Sequence, residues 1–400
     1  MAVDKNLFLH DLAIVAIMKC EAPYLKEWLD YHLLAGVYHF YLYDNDSPDN
    51  QAEVAKPYIE AGLVDYFHAP GKAMQMVAYN DAINRFKFHC RYMALIDGDE
   101  FIYPKTNRRI SEVLDEILSR DPNAAGLEIN FQTFGSNGQE KADYSRGVLE
   151  RFNRRSISET VCKTAFNARK VRLICSPHCA YYVEGYYAVN SNNEVQEKPG
   201  GNDPPLTDKI VVNHYHFKSR EEYMIKHRRG YAANLLPVEH YTQKDFDSQG
   251  QCNEVFDDGI LKYRAARADN FSLETDAAKV QRVTAALNET LSRFADGEIS
   301  DLETALTCRA ASNHLGLKIH EEASLAAILK SLDELCFVES RLLISELPTL
   351  LTLPYPIVEE LRGACLQILP QMIDFLRYRN DWMSFVELDY VRRLLKNFGK

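Results

Sequence analysis

No stretch of the sequence reaches about eighteen consecutive apolar residues, the length that a membrane-spanning helix needs. The apolar run near the N-terminus, Leu12 to Met18, is also too short for a signal peptide. Positive charge is in deficit, because 46 Lys and Arg residues face 57 Asp and Glu residues and leave a net charge of −11. An acidic chain binds nucleic acids poorly. We therefore expect a cytoplasmic protein with no nucleic-acid partner, for which peripheral contact with the inner membrane stays open.

Paired cysteines and the common catalytic motifs are missing too. The nine cysteines are scattered and odd in number, which is typical of reduced thiols. Cys175 and Cys179 enclose His178 but lack the paired spacing of a structural zinc site. No Gly-x-Gly-x-x-Gly, Walker, Gly-x-Ser-x-Gly or His-Glu-x-x-His pattern occurs. These absences lower the expectation of a serine hydrolase or a metalloprotease.

The composition changes near residue 265. No proline lies between Pro237 and Pro348, and helix formers recur at helical spacing from about residue 270 onward. A chain of 400 residues also favours two domains. We predict an α/β domain over residues 1–265 and an α-helical C-terminal domain over 266–400. Within the second domain, the pattern predicts helices through 280–291, 325–332, 357–369 and 373–395, with a bend at 347–356.

The first domain alternates strand-like and helix-like segments. Apolar runs predict strands at 13–18, 37–43, 63–67 and 92–96, with helices between them. This alternation predicts an α/β fold with a mostly parallel sheet covered on both faces. Ligands of such sheets bind beyond the carboxyl ends of the strands, which is where Asp44 and Asp97 lie.

The segment Asp97-Gly98-Asp99 follows directly after the fourth predicted strand. Two carboxylates held at a sheet edge can share one divalent cation, which prefers oxygen ligands, and Gly98 lets another group approach closely. The alternative is an ordinary solvated turn, since Asp-x-Asp is a common sequence. The position at a strand end favours the metal site.

Two histidines, His214 and His216, follow a further predicted strand at alternate positions. They are either ordinary strand residues, one buried and one facing solvent, or they include a metal ligand, with His214 lying across from Asp99. Imidazole and carboxylate groups are both common metal ligands.

A helix is predicted to begin after these histidines. Ser219, with Glu222 three residues later, forms the pattern of a capping box. Lys226, Arg228 and Arg229 on this helix are either a solvated surface or a clamp for a diphosphate.

A series of motifs occurs in one order over about residues 12–230: AIMKCE at 16–21, YLKEWLDYH at 24–32, FYLYDN at 40–45, Gln75 with YND at 79–81, LIDGDEFI at 95–102, FGS at 134–136, Lys163, His178, and His214-Tyr215 with Lys218-Ser219 and Glu221-Glu222-Tyr223. Each motif is weak alone, but together they resemble glycosyltransferase family 92 and its relatives of the family 2 type. The resemblance does not cover the helical C-terminal part.

The resemblance implies a GT-A fold, in which a Rossmann-like sheet binds a nucleoside diphosphate sugar and the Asp-x-Asp holds Mn²⁺ or Mg²⁺ on the diphosphate. It implies catalytic and metal-binding roles for Asp97 and Asp99, with His214 completing the metal shell. The residues expected around the donor nucleotide are Glu21, Asp44, Gln75, Asp97, Lys218 and Lys226.

Members of this family are expected to invert the anomeric centre, which needs a general base on the acceptor hydroxyl and no enzyme nucleophile. His178, Glu128 and Glu100 are the candidates for this base, and no spacing argument selects among them. Many animal relatives carry an N-terminal membrane anchor, which this sequence lacks, so it is more similar to a bacterial cytoplasmic enzyme. Tyr92 stands where animal members often have Trp, so acceptor specificity does not carry over.

The resulting prediction is a metal-dependent, inverting glycosyltransferase that moves a hexose or N-acetylhexosamine from a UDP-sugar to a glycan. The acceptor would be lipid-linked or protein-linked, as in lipopolysaccharide, capsule or a glycoprotein. One alternative is a nucleotidyltransferase that makes an activated sugar. Another is a non-catalytic glycan-binding or scaffold protein with a GT-A fold. The helical domain is a candidate interface for a homodimer.

Overall fold

The computed structural model describes residues 3–157, 159–228, 246–247, 252–269 and 271–333. The chain divides into two compact units, one from His10 to Leu273 and the other from the first nine residues together with the chain from Glu274 onward. The predicted boundary at 265/266 stays a prediction. Arg229, the bend at 347–356 and the helices at 357–369 and 373–395 lie outside the described residues.

The first half of the larger unit consists of alternating parallel strands and helices. The predicted βα alternation is confirmed, and its bounds differ by no more than a few residues from those expected. The strands are β1 (His10–Met18), β2 (His39–Asp44), β3 (Val64–His68) and β4 (Cys90–Leu95), and the helices between them are α1 (Ala22–Leu34), α2 (Gln51–Glu60) and α3 (Gln75–Phe86). The four strands are parallel in the order β3-β2-β1-β4.

The second half of this unit extends the same sheet with strands of both directions. Its elements are β5 (Glu100–Pro104), α4 (Ile110–Leu118), β6 (Ala124–Thr133), α5 (Val148–Arg151), β7 (Arg154–Arg155), β8 (Cys162–Phe166), β9 (Val171–Ser176), β10 (Cys179–Tyr182), β11 (Tyr187–Val189), β12 (Ile210–His214), α6 (Arg220–Arg228), β13 (Val255–Phe256) and α7 (Gly259–Ala268). The sheet continues from β4 as β8-β6-β12-β5, with β11 also paired to β6. Strand β8 is antiparallel to both β4 and β6, and β5 is antiparallel to β12. The predicted α/β class with a mostly parallel sheet is confirmed, and it has the GT-A arrangement that the resemblance implies.

The apolar run in β1 is continuous because both faces of the sheet are buried. Ile14 and Ala16 belong to the core on one face, while Val15 and Ile17 belong to the core on the other. A strand that is covered on both sides needs apolar residues at every position, in contrast to the alternating pattern of a half-exposed strand.

Helix α1 holds β5 through side-chain hydrogen bonds to the strand backbone. Trp28 Nε1 donates to the carbonyl of Glu100 over 2.8 Å, and Tyr31 Oη donates to the carbonyl of Ile102 over 2.8 Å. The Nε2 atom of His32 accepts from the Ile102 N–H over 3.3 Å. These three side chains are fully buried, and they satisfy polar backbone groups of an edge strand that would otherwise lack partners. Because β5 begins at Glu100, α1 fixes the strand directly after Asp97-Gly98-Asp99.

The smaller unit contains three described α-helices, α8 (Asp276–Ala295), α9 (Leu302–Leu315) and α10 (Lys318–Asp333). They confirm the helices predicted through 280–291 and 325–332. On α8, Val283, Ala286, Leu287 and Leu291 are buried as their spacing predicts. No helix in the described ranges has the length and hydropathy of a membrane span.

Burial of His32 makes stability depend on pH, because burial lowers its pKa from 6.5 to about 3. Between these values the unfolded chain binds a proton that the folded chain does not, so stability falls as the pH falls. We predict that His32→Gln, which keeps an acceptor for Ile102 N–H, makes this fall shallower by about 1.4 kcal/mol per pH unit. Urea denaturation of both proteins between pH 6 and pH 4 measures the slopes, and equal slopes would contradict this account.

Candidate active site

The two carboxylates of Asp97-Gly98-Asp99 lie between β4 and β5 and have different partners. On Asp97, Oδ1 accepts from Gln75 Nε2 at 2.8 Å and from Tyr79 Oη at 3.1 Å. Its Oδ2 accepts from Lys163 Nζ at 3.0 Å. Burial alone would raise the pKa of Asp97, but the Lys163 ammonium outweighs it and holds that pKa below its ordinary value. Asp97 is therefore a fixed anion, with its side chain about one third exposed at 35%.

Lys163 contacts the carboxylate loop, and the sequence analysis assigns it no role. Its side chain is only 1% exposed, and its Nζ also lies 3.4 Å from Oε2 of Glu100. The ammonium thus lies against the carboxyl groups of both Asp97 and Glu100. A lysine at the second position of the buried strand 162–166 was the available signal, since a buried lysine is almost always paired.

Asp99 is the more deeply buried of the two carboxylates, at 5% exposure. Its Oδ2 accepts from Lys226 Nζ at 2.5 Å, and it lies 3.8 Å from His214 Nε2 and 4.0 Å from Lys218 Nζ. Burial would raise the pKa of Asp99, but Lys226 and then Lys218 hold it well below the usual range. The structure therefore brings His214, Lys218 and Lys226 to Asp99, and their predicted roles at a metal ion and a donor nucleotide stay predictions.

A possible metal-ligand set is formed by Asp99, His214 and His216, whose ligand atoms all lie within 4.8 Å of one another. Burial lowers the pKa of His214 to about 4 and that of His216 well below its ordinary value, so both rings are neutral and keep a lone pair. One carboxylate and two neutral imidazoles fit a divalent transition metal such as Mn²⁺. His216 enters this set without having been predicted, and Asp97 is not a member of it. The metal-binding role of Asp97 stays a prediction.

Glu21 lies directly against Gly98. A Cβ atom on Gly98 would come within 3.2 Å of Glu21 Cγ and 3.4 Å of Met18 Cε, so the close approach predicted for Gly98 is made by Glu21. Glu21 itself is 5% exposed, and its backbone N–H donates to Gln51 Oε1 over 3.0 Å. The first βα connection is thus packed onto the loop that carries the two aspartates.

Asp44 and Gln75, the other residues predicted near the nucleoside, have different surroundings. Gln75 is buried and bonded to Asp97 as described above. Asp44 ends β2, and its Oδ1 accepts from Ser47 N–H over 3.0 Å and from Gln51 Nε2 over 3.4 Å. It therefore orders the turn before α2, and its contact with a nucleotide stays a prediction.

The three candidates for the general base differ in their hydrogen bonds. Glu100 is 1% exposed, accepts from the Asp97 N–H over 3.0 Å, and has a pKa that burial raises to about 8. Glu128 is 2% exposed, accepts the Gly200 N–H with both oxygens at 2.9 and 3.0 Å, and has a pKa that burial raises to about 7. Both carboxylates are thus engaged within the protein.

His178 is the only one of the three candidates that is partly exposed. It lies in the turn between β9 and β10, partly exposed, and its Nδ1 donates to the carbonyl of Cys162 over 3.0 Å. Burial, and then the nearby Lys163 ammonium, lower its pKa, so the ring is neutral near pH 7. With the proton on Nδ1, Nε2 carries the lone pair that accepts a proton.

A buried ion pair anchors α6, the helix that carries Lys226. Arg151 donates to both carboxylate oxygens of Glu222, at 2.9 and 2.7 Å, and both side chains are 1% exposed. Glu222 also accepts from Ser219 N–H over 3.1 Å, while Ser219 Oγ accepts from Glu222 N–H over 3.3 Å. The predicted capping box is therefore present. Tyr24 Oη donates a further hydrogen bond to Glu222 over 2.9 Å. Three residues thus hold the Glu222 carboxylate, and this fixes the start of α6.

Comparison with known proteins gives a family match and several relatives. The model of glycosyltransferase family 92 matches residues 18–255. A family 92 protein of Ricinus communis is 23% identical over 233 residues, covering 57% of this chain and 39% of that protein. A family 92 protein of Arabidopsis thaliana is 26% identical over 233 residues, covering 57% of this chain and 39% of that protein. The chain therefore spans less than half the length of these two relatives.

Two further similarities are more limited. A galactan beta-1,4-galactosyltransferase of Arabidopsis thaliana is 31% identical over 105 residues, covering 22% of this chain and 19% of that protein. The crystal structure of S. aureus TarS 1-349 in complex with UDP-GlcNAc is 12% identical, covers 85% of this chain and 86% of that chain, and has a TM-score of 0.32. A TM-score this low supports no argument about the site.

The Arg151–Glu222 pair yields a stability prediction. We expect Arg151→Met to lower the free energy of unfolding by about 3–5 kcal/mol, because it leaves the Glu222 carboxylate buried without its main cation. The double variant Arg151→Met/Glu222→Met loses less, since it buries no charge. Urea denaturation measures both. Arg120→Met, which removes an exposed pair with Glu116, is the control and changes stability by no more than about 0.5 kcal/mol. A loss below about 1 kcal/mol for Arg151→Met would contradict the assignment.

Proposed function

Because the chain belongs to glycosyltransferase family 92, we propose that it transfers a hexose or N-acetylhexosamine from a UDP-sugar to a glycan acceptor, with inversion at the anomeric carbon. The observation that carries this proposal is the surroundings of Asp99, a buried carboxylate that meets two lysines and two neutral histidines at the end of β4. This arrangement suits a cation together with a diphosphate. The galactan galactosyltransferase among the relatives supports a hexose as the transferred sugar.

We propose Asp99, His214 and His216 as the residues that would hold a divalent cation, with Asp97 beside them. The cation would supply positive charge to the diphosphate leaving group as the sugar bond breaks. The protein's own cations have the same effect, because the Lys226 and Lys218 ammonium groups lie within 4.0 Å of Asp99 Oδ2. Glu21, Asp44, Gln75 and Asp97 line the proposed nucleoside side of the site.

His178 is the proposed general base. Its Nε2 lone pair would take the proton of the acceptor hydroxyl as that oxygen attacks the anomeric carbon. The Cys162 carbonyl fixes the tautomer by accepting from Nδ1. Lys163 and Asp97 are near enough to influence the His178 pKa.

The acceptor is proposed to be a lipid-linked or protein-linked glycan. A cytoplasmic location, contact with the inner membrane and a homodimer through the helical domain stay predictions.

The donor site is tested by calorimetric titration of UDP into the wild type and Asp99→Asn, with and without Mn²⁺. We predict Mn²⁺-dependent UDP binding that Asp99→Asn weakens by at least about tenfold, because the amide removes the negative charge that binds the cation. The exposed Asp208→Asn is the matched control and keeps wild-type binding. Equal, metal-independent UDP binding by wild type and Asp99→Asn would contradict the proposed site.

The role of His178 is tested with His178→Gln, which removes a titratable ring near the carboxylate loop. We predict that kcat for sugar transfer, measured by the UDP that is formed, falls about 10²–10⁴-fold, which is the usual contribution of a general base. UDP affinity is expected to stay unchanged, since the base contacts the acceptor and not the nucleotide. An unchanged kcat, or a loss confined to UDP affinity, would exclude His178 as the base.

A further inference from the structure

The ammonium of Lys226 lies among the atoms that would bind a metal. Its Nζ is 2.5 Å from Asp99 Oδ2 and 3.2 Å from His216 Nδ1. Asp99 and His216 are two of the three residues in the candidate ligand set. The lysine thus makes hydrogen bonds to the same groups that a divalent cation would use.

The direction of these hydrogen bonds means that Lys226 and a metal ion would compete for the same lone pairs. An ammonium group can only donate, so the Nδ1 atom of His216 must contribute its lone pair to Lys226. A metal ion would require the lone pairs of the same carboxylate and imidazole groups. Two positive charges a few ångströms apart in a buried site also repel each other strongly. The Asp99 carboxylate therefore cannot serve both cations fully at the same time.

Without any cation, the buried Asp99 would be an uncompensated charge. A carboxylate at 5% exposure needs a partner, and Lys226 is the closest cation to it among the described residues. Lys218 is less suited to this role because its Nζ is 4.0 Å away and lies 4.6 Å from the centre of the Tyr24 ring. Lys226 is therefore the group that keeps the empty site stable.

The Lys226 side chain is more exposed than that of Lys218. It extends from the last turn of α6 and is 20% exposed, whereas the Lys218 side chain is 4% exposed. The four-carbon stem of a lysine is flexible, and its ammonium is a common partner of phosphate groups. A diphosphate arriving beside Asp99 would offer Lys226 a new set of anionic oxygens.

We propose that Lys226 couples metal binding to nucleotide binding: it occupies the cation position until a nucleoside diphosphate binds, and then moves from Asp99 to the diphosphate. This inference rests on the proposed donor site. Because coupling between two ligands is reciprocal, the nucleotide strengthens Mn²⁺ binding by the same factor by which Mn²⁺ strengthens nucleotide binding. Lys226 thus makes tight Mn²⁺ binding depend on the presence of the donor nucleotide.

The test is a titration of Mn²⁺ into the wild type and Lys226→Met, without and with saturating UDP, followed by electron paramagnetic resonance of free Mn²⁺. We expect Lys226→Met to bind Mn²⁺ at least about tenfold more tightly than the wild type when UDP is absent, since a charge-assisted hydrogen bond no longer competes. UDP should strengthen Mn²⁺ binding in the wild type and have a smaller effect in the variant. Lys226→Arg, which keeps the charge, should resemble the wild type, and Lys56→Met, which removes an exposed charge on α2, should not change Mn²⁺ affinity.

The outcomes separate this inference from the proposed function. Equal Mn²⁺ affinities of wild type and Lys226→Met without UDP, together with Mn²⁺-dependent UDP binding by both, would overturn the coupling role and leave the donor site intact. Tighter Mn²⁺ binding by Lys56→Met as well would also overturn it, because the effect would then be one of net charge. The absence of Mn²⁺ and UDP binding by every variant would overturn both the inference and the proposed donor site.

Discussion

This site depends on two carboxylates that lie one residue apart at the end of a strand, with Asp99 buried and Asp97 about one third exposed. Each must be compensated, and the compensating groups come from distant parts of the chain. Asp97 is paired with Lys163 from β8, and Asp99 with Lys226 from α6. The antiparallel insertion of β8 between β4 and β6 and the anchored start of α6 are the structural means of bringing these lysines to the loop.

The sequence predicts the parallel half of the sheet well, because its strands are covered on both faces and appear as unbroken apolar runs. It also predicts the positions of Asp97 and Asp99, since a strand end is a local feature. The partners of these residues were harder to predict. The role of Lys163 depends on the direction of β8 in the sheet, and the role of His216 depends on how the chain turns after β12. Lys163 gave only a weak local signal, as a lysine within a strand, and so did His216, as the second of two histidines at alternate positions, because their contacts are tertiary features.

Both aspartates of the proposed donor site have a lysine partner within the protein. Asp97 is held by groups that are themselves buried and bonded, which makes its position permanent. Asp99 is held mainly by a partly exposed lysine on a flexible stem, which makes its partner exchangeable. On the proposed function, Asp97 would position the site and Asp99 would bind the cation within it. The difference follows from which element supplies each cation, and it is not visible in the Asp-x-Asp sequence itself.

The central claim is that Asp99 and its histidines form the cation site of a nucleotide-sugar transferase. Anomalous scattering from manganese, in crystals of the protein with UDP and Mn²⁺, tests it most directly. The account predicts a manganese peak bonded to the Asp99 carboxylate and to His214 or His216, with the Lys226 ammonium displaced onto the diphosphate. A manganese peak and a bound UDP away from Asp99, or Lys226 still bonded to Asp99 beside bound UDP, would contradict it.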